Sequence, residues 1–216
     1  MKAVILAAGY GTRLQRDVAA DGSGRFAHLA GTAKPLLPVG RCALISHWVR
    51  ALTASDCVDR IYVVTNAVYL AAFEEWASHF TNVEILSDRT TSNDGRLGAV
   101  ACLQLAVKHF AVEDHVLVIG GNSEIRDPGS RRRSPRPLHE GEASSLRDHV
   151  QESKEKKEAP IDEKDAPGNF VSWLIPREPV YIHQISGRFD VGSLASYIEC
   201  DLYFRERLQD VESYMV

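Results

Sequence analysis

Short apolar runs alternate with stretches of helical periodicity through the first 120 residues of the chain. Residues 3–7 and 115–119 are almost continuously apolar, which is typical of strands buried on both faces of a sheet. Two further runs predict strands at residues 60–64 and 83–86, and apolar residues recur at helical spacing over 43–53, 69–80 and 97–110. This alternation predicts an α/β fold, a Rossmann-like doubly wound sheet that is mostly parallel and has helices on both faces.

The polar character of the chain rises sharply after residue 121. Of the 45 residues from 122 to 166, 21 are Asp, Glu, Lys or Arg, against 25% charged residues in the whole chain, and none is aromatic. Such a segment buries too little apolar surface to offset the entropy lost on ordering. We therefore predict a disordered polar segment, residues 122–168, that interrupts a domain whose two parts are residues 1–121 and 169–216. The second part carries a predicted strand at 180–185 and a predicted amphipathic helix at 193–208.

Bulk charge and cysteine usage narrow the class of protein. A net charge of −4 gives no global attraction for nucleic acid or for anionic membranes. No apolar run approaches the ~18 residues that indicate a membrane span. Met1 leads directly into the first predicted strand, which leaves no room for a secretory signal, and the four cysteines show no metal-binding spacing. These observations predict a cytoplasmic protein that binds neither nucleic acid nor membrane.

A glycine-rich loop directly follows the first predicted strand. Gly9 and Gly11 allow the backbone to turn tightly and to point its N–H groups at an anion. Arg13 and Lys34 add a planar guanidinium and an ammonium, which together suit a polyphosphate. Ligands of doubly wound sheets lie beyond the carboxyl ends of the strands, where this loop emerges. The loop is therefore a candidate nucleotide site.

Purely structural explanations of the same residues remain open. The two glycines also suit an ordinary strand-to-helix turn, and the two cations suit a solvated surface pair. The loop is not a Walker loop, because the chain has no GxxxxGK[ST] sequence, and Leu14 occupies the place of the third glycine of the dinucleotide fingerprint. The phosphate site is favoured because TRL follows Gly11 directly and KPLLPV begins at Lys34.

Four segments together resemble the sugar-1-phosphate nucleotidylyltransferases. They are LAAGYGTRL at residues 6–14, AKPLLPVG at 33–40, LGAVA at 97–101 and FDVGS at 189–193. This family joins a nucleoside triphosphate to a sugar 1-phosphate and releases pyrophosphate. The resemblance covers about residues 1–121 and 169–206, and it implies the same reaction and a part in nucleotide-sugar biosynthesis.

The resemblance also implies roles for individual residues. It makes Arg13 and Lys34 the catalytic residues and Asp190 a ligand of Mg²⁺, the implied cofactor. The implied nucleotide-binding residues are Leu6, Ala8, Gly9, Gly11, Thr12, Arg13 and Gly98. An alternative for Asp190, and for Ser193, is a cap on the helix that follows.

The chain departs from the family in two places. Asn122 stands at the position of the family's other metal-binding aspartate, so this metal position is degenerate. The family's central sugar-binding strands and Glu-Lys-Pro segment have no counterpart, so that part is missing or replaced. Both departures predict impaired catalysis.

Two alternatives to an impaired enzyme remain: an inactive nucleotide-binding or regulatory relative, and a truncation product without a function of its own. The implied partners are a nucleoside triphosphate and, in an active chain, a sugar 1-phosphate. A homo-oligomer and association with an intact homologue both stay open.

Overall fold

The computed structural model of the protein describes residues 1–121, 123–125 and 188–213, together with residues 168, 169, 172, 175 and 176. Its strands are β1 (Lys2–Leu6), β2 (Pro38–Val39), β3 (Cys42–Ala43), β4 (Arg60–Thr65), β5 (Val83–Ser87), β6 (Val116–Gly120), β7 (Ser123–Ile125) and β8 (Arg188–Asp190). Its helices are α1 (Thr12–Ala20), α2 (Leu44–Ala54), α3 (Leu70–Ala77), α4 (Ala99–His109) and α5 (Leu194–Ser213), and short 3₁₀ turns occupy Ala27–Leu29, Lys34–Leu36 and Asn93–Gly95.

A four-stranded parallel sheet in the order β5-β4-β1-β6 forms the centre of the fold. Lys2 is level with Arg60 on one side and with Val116 on the other, so the central strand is paired along its whole length. Helices connect these strands, because parallel neighbours need a crossover between them. The predicted α/β fold with a mostly parallel sheet is therefore confirmed.

Side chains of the sheet alternate between two apolar layers. Ile61 and Val63 face a cluster that includes residues of α2 and α3, while Tyr62 and Val64 face the layer of α4. Every residue of β4 except the first is less than a tenth exposed, as expected for a strand covered on both faces. A third cluster joins α1 to α5 and contains Leu14 and Tyr197.

The longer predicted elements agree with the structure to within a few residues. The strands predicted at 3–7, 60–64, 83–86 and 115–119 are β1, β4, β5 and β6, each displaced or extended by one residue. The three helices predicted in the first part are α2, α3 and α4, and the helix predicted at 193–208 is α5, which continues to Ser213. The strand predicted at 180–185 lies outside the described residues.

Four short strands were missed by the sequence patterns. β2 and β3 form a two-residue hairpin, and β7 pairs antiparallel with β8. Ser123–Ile125, at the start of the segment predicted to be disordered, forms strand β7. The pairing with Arg188–Asp190 supplies backbone hydrogen bonds that the local composition does not reveal. The rest of the polar segment lies mostly outside the described residues.

Helix α5 is fastened to the β2–β3 hairpin by polar contacts. The hydroxyl of Tyr197, a residue only 3% exposed, donates to the carbonyl of Pro38 at 2.7 Å. The backbone N–H of Gly40 donates to Asp201, which also pairs with Arg205 one turn later. These contacts join the end of the chain to its first part. No helix in the described ranges is both long enough and apolar enough to cross a membrane.

Candidate active site

The glycine loop connects the end of β1 to the start of α1. Gly11 has φ +64°, a left-handed conformation that glycine adopts without strain, and helix α1 begins at the next residue, Thr12. No side chain caps this helix start, so no side-chain oxygen at the N-cap accepts a hydrogen bond from its first N–H groups. Such an end attracts anions through its N–H groups and the helix dipole.

A buried asparagine holds the first part of the loop in place. Asn66, completely buried just after β4, donates from Nδ2 to the carbonyl of Ala8 at 3.0 Å. Its Oδ1 accepts the N–H of Tyr69 at 3.1 Å. No sequence motif indicated this residue. The available signal was a polar side chain immediately after an apolar strand, at the edge of the sheet where the loop emerges.

The Lys34–Leu36 turn packs against the same loop. A Cβ atom built on Gly11 would lie 3.2 Å from Cγ of Lys34, so the lysine stem passes directly over the glycine. Pro35 is anchored at the end of β1, because a Cβ on Gly121 would lie 3.1 Å from its Cγ and 3.0 Å from the Leu6 carbonyl oxygen. Glycine is needed at both places because a side chain would displace these neighbours.

Three charged groups converge beside this turn. Burial lowers the pKa of Lys34 below its ordinary value, the negative charge of Asp190 raises it, and the positive charge of Arg13 lowers it. The Arg13 guanidinium also lies against Gly192, where a Cβ would be 3.7 Å from Nη1. Arg13 lies in α1, Lys34 in the Lys34–Leu36 turn and Asp190 in β8, and the fold brings these three charges together.

Asp190 is placed by the β7–β8 pair and by the turn that follows. Its Cα is the ladder partner of Ser123, and its carbonyl accepts the N–H of Gly192 at 2.8 Å. The start of α5 is capped by other groups: Leu194 N–H donates to Asp17 at 3.2 Å, and Ser196 N–H donates to Ser193 Oγ at 3.2 Å. The capping alternative is therefore confirmed for Ser193.

The other residues implied in nucleotide binding lie at the same edge of the sheet. Leu6 is the last residue of β1, and Thr12 is the first of α1. Gly98, with φ +87°, precedes α4, which returns from the carboxyl edge of the sheet to begin β6. The edge that carries the glycine loop thus also carries the turn before α4.

The candidate metal position rests on Asp190. Asn122 lies outside the described residues. Within the described part of the chain, no group of three or more His, Cys, Asp or Glu side chains could hold a metal ion. Mg²⁺ is often bound by only one or two carboxylates together with substrate phosphates, so one carboxylate beside two cationic side chains fits an ion that is bound in company with a phosphate ligand.

Comparison with known protein families decides the class of the chain. The sequence profile of the MobA-like NTP transferase domain matches residues 3–121, more than half of the chain. The chain belongs to this nucleotidyltransferase family. The matched region includes the glycine loop, the Lys34–Leu36 turn and helix α4. The nucleotidyltransferase resemblance is thus confirmed, whereas no curated protein sequence matches the chain.

Solved structures share the fold of this NTP transferase domain. A CTP:phosphocholine cytidylyltransferase of Streptococcus pneumoniae is 15% identical with a TM-score of 0.67, over 96% of this chain and 98% of that one. A protein of Bacillus anthracis described as a glucose-1-phosphate thymidylyltransferase, solved with sucrose, is 18% identical with a TM-score of 0.65, over 95% of both chains. A nucleotidyl transferase of Methanothermobacter thermautotrophicus is 20% identical with a TM-score of 0.65, over 95% and 98%.

Proposed function

We propose that this chain binds a nucleoside triphosphate at the glycine loop and transfers the nucleotidyl group to a phosphorylated acceptor, with release of pyrophosphate. The observation that carries the proposal is the convergence of Arg13 and Lys34 beside Asp190, next to the uncapped start of α1. Two cations and a helix N-terminus neutralise a polyphosphate, and a carboxylate suits its metal ion.

The proposed roles follow from charge and placement. An oxygen of the acceptor phosphate forms a bond to the α-phosphorus, and the bond from that phosphorus to the bridging oxygen of pyrophosphate breaks. Arg13 and Lys34 hold the phosphates in line and stabilise the negative charge that grows on the leaving pyrophosphate. Backbone N–H groups between Gly9 and Thr12 orient the triphosphate, and the turn at Gly98 approaches the base.

Asp190 is the described residue that would hold Mg²⁺, in company with phosphate oxygens. The bound ion would supply additional neutralisation of the phosphate charge. Asn122 would be a neutral neighbour of this position where the family has a second carboxylate. An amide oxygen binds this hard cation less strongly than a carboxylate, so metal binding would be weak.

The acceptor is proposed to be a sugar 1-phosphate, because the sequence motifs resemble the enzymes that use one. The structural neighbours carry names that point to two acceptors, phosphocholine and glucose 1-phosphate. Both substrates present a phosphate monoester, so the chemistry at the α-phosphorus is the same for either. We further propose a role in nucleotide-sugar synthesis in the cytoplasm, with turnover impaired by Asn122 and by the predicted loss of the sugar-binding segment. The second candidate is a nucleotide-binding relative without catalysis, alone or associated with an intact homologue.

The test combines calorimetry with an assay of pyrophosphate release. ATP, CTP, GTP, UTP and dTTP would be titrated with Mg²⁺, and each would then be assayed with a set of sugar 1-phosphates and phosphocholine. Arg13→Ala and Lys34→Ala should weaken nucleotide binding by about 10-fold or more, because each removes a charge-assisted hydrogen bond. Lys108→Ala is the matched control, since Lys108 is exposed in the last turn of α4, which is the end remote from Gly98.

The outcomes separate the two candidates. Nucleotide binding with pyrophosphate release supports the transferase, and binding without release supports the non-catalytic relative. Absence of binding for all five nucleotides, or equal affinity in the three variants and the wild type, would reject the proposed site.

A further inference from the structure

A chain of hydrogen bonds leads from a buried carboxylate to the middle of the glycine loop. Tyr10, between Gly9 and Gly11, has its hydroxyl 2.8 Å from Oγ1 of Thr90. Thr90 Oγ1 donates to Oδ1 of Asp88 at 2.8 Å, and the Thr90 N–H donates to the same oxygen at 2.8 Å. These residues lie 80 positions apart in the chain, so the fold alone joins them.

The available donors fix the direction of these hydrogen bonds. A threonine hydroxyl has one proton, and here that proton is given to Asp88. Thr90 Oγ1 must then accept the proton of Tyr10. The tyrosine is thus held by its hydroxyl at a point set by the loop after β5.

Asp88, which ends this series of hydrogen bonds, is itself held in a fixed position. The residue is 7% exposed, and its N–H donates to the carbonyl of Thr65, at the end of β4. Its other oxygen, Oδ2, lies 3.8 Å from Sγ of Cys102 in helix α4. A buried carboxylate with several donors is costly to displace, so the position of Thr90 is well determined.

The backbone around Thr90 is constrained as well. Arg89 adopts φ +64°, a left-handed conformation that is uncommon for residues other than glycine. The Thr90 carbonyl accepts the N–H of Ala67, next to the asparagine that holds the carbonyl of Ala8. The loops after β4 and β5 therefore contact the glycine loop together.

We infer that Thr90, oriented by Asp88, is a positioning residue that fixes Tyr10 and with it the conformation of the glycine loop. The inference rests on the proposed binding of triphosphate by that loop. Two glycines give the loop many conformations, and ordering them on binding costs conformational entropy. A loop that is already held loses less entropy when the phosphates bind. Because Asp88 also contacts α4, the same series of hydrogen bonds links the glycine loop to the helix that follows Gly98.

The test uses single hydroxyl deletions and a conservative rescue. Thr90→Val and Tyr10→Phe each remove one hydroxyl, whereas Thr90→Ser keeps it. The matched control is Thr91→Val, at the exposed neighbouring position. Inorganic tripolyphosphate and the tightest-binding nucleoside triphosphate are the probes for calorimetry. Amide hydrogen exchange of residues 9–12 is measured in the free protein, together with thermal unfolding.

Thr90→Val and Tyr10→Phe are each expected to weaken binding of tripolyphosphate by about 3- to 10-fold, the range of one ordinary hydrogen bond. Both variants break the Tyr10–Thr90 bond, and Thr90→Val also removes the bond to Asp88, so the double variant should bind no more weakly than Thr90→Val alone. Thr90→Ser and Thr91→Val should bind like the wild type. Exchange at residues 9–12 should become faster in Thr90→Val and Tyr10→Phe.

Two results would overturn the inference. One is unchanged amide exchange at residues 9–12 in both deletion variants. The other is a pair of losses in affinity that add in the double variant. Should the wild type bind neither tripolyphosphate nor a nucleotide, the proposed function fails, and the exchange measurement alone then decides whether Thr90 positions the loop. If Thr90→Val does not fold, Tyr10→Phe alone still gives the affinity and the amide exchange, and unchanged exchange at residues 9–12 in that variant overturns the inference.

Discussion

The aliphatic stem of Lys34 lies across Gly11, so close that a Cβ on the glycine would be 3.2 Å from Cγ and 3.5 Å from Cε of the lysine. The contact joins the glycine loop to the Lys34–Leu36 turn. Because Gly11 has no side chain, the lysine stem lies directly against its backbone, and this contact determines where the ammonium group can lie. The left-handed φ of Gly11 and the place of Lys34 are thus parts of one arrangement.

Replacing this glycine should therefore affect stability and nucleotide binding together. Gly11→Ala places a side chain in a left-handed conformation, which costs about 1–2 kcal/mol. It also forces the Lys34 stem away from the loop. We expect a lower free energy of unfolding by roughly that amount in denaturant titrations, and weaker triphosphate binding by calorimetry.

Gly9→Ala is the matched control for the same loop. A Cβ at Gly9 meets no atom within 4 Å, and Gly9 has no left-handed φ, so the free protein should keep its stability. Weaker triphosphate binding by this stable variant would indicate that the ligand approaches the backbone at Gly9. Equal loss of stability in the two variants would contradict the role given to the Gly11–Lys34 contact.

The charges around Lys34 predict opposite effects of two substitutions on its pKa. Burial lowers the pKa from the ordinary value of 10.5, Asp190 opposes this change and Arg13 adds to it. Asp190→Asn should therefore lower the pKa further, and Arg13→Ala should raise it. Lys34 would then lose its proton at a lower pH in the first variant and at a higher pH in the second. NMR titration of the Lys34 side chain measures both, and a shift in the same direction would show that the three groups are not neighbours.

The strands of the central sheet could be predicted from the sequence because each is long enough to contain a recognisable run of apolar residues. Four consecutive apolar residues in each of β1, β4 and β6 indicate buried strands. The structure buries β1 and β4 in this way, whereas Val118 of β6 is 39% exposed. The hairpin of β2 and β3 has two residues in each strand, which is too short for any periodicity to be recognised. For β7 the pairing partner, β8, is more than 60 residues away, so the local composition could not reveal it.

The residues of the candidate site also differ in whether the sequence alone could indicate them. Gly11, Arg13 and Lys34 could be predicted as site residues because each lies in a short sequence motif. Asn66 and Asp88 support the loop through contacts that depend on the tertiary fold, and a single polar residue after a strand does not specify its partner. Such supporting residues become visible only when the ends of neighbouring strands are brought together.

His47 should make the stability of the protein depend on pH. Its Nε2 lies 3.0 Å from the carbonyl of Val39, and its ring packs 4.3 Å from that of Phe204 in α5. Burial lowers the pKa of His47 below 6.5, and the charge of Arg50 lowers it further. The unfolded chain therefore binds this proton at a higher pH than the folded chain. The stability associated with neutral His47 is fully present above pH 6.5 and is lost as the pH falls from there through the folded pKa.

Denaturant unfolding between pH 8 and pH 5, compared between the wild type and His47→Gln, isolates this contribution from the other histidines. Glutamine keeps a donor for the Val39 carbonyl but has no proton to gain. We expect the free energy of unfolding to fall more steeply with decreasing pH in the wild type than in the variant. Parallel curves would show that His47 has the same pKa in the folded and unfolded chains.

A carboxylate at position 122 should strengthen metal-dependent binding of nucleotide. Asn122 lies outside the described residues, but its chain neighbour Ser123 is the ladder partner of Asp190. Aspartate is nearly isosteric with asparagine and adds the anionic oxygen that Mg²⁺ prefers. Asn122→Asp should therefore lower the Kd for nucleotide measured with Mg²⁺ and leave the Kd measured with a chelator unchanged or higher, because the added charge repels free phosphate.

Synthesis of a nucleotide sugar by this variant should stay near background, since a missing sugar-binding segment would leave the acceptor without orientation. Equal affinity of the variant and the wild type in the presence of Mg²⁺ would place the metal away from residue 122, and efficient synthesis by the variant would show that this one carboxylate was the whole defect.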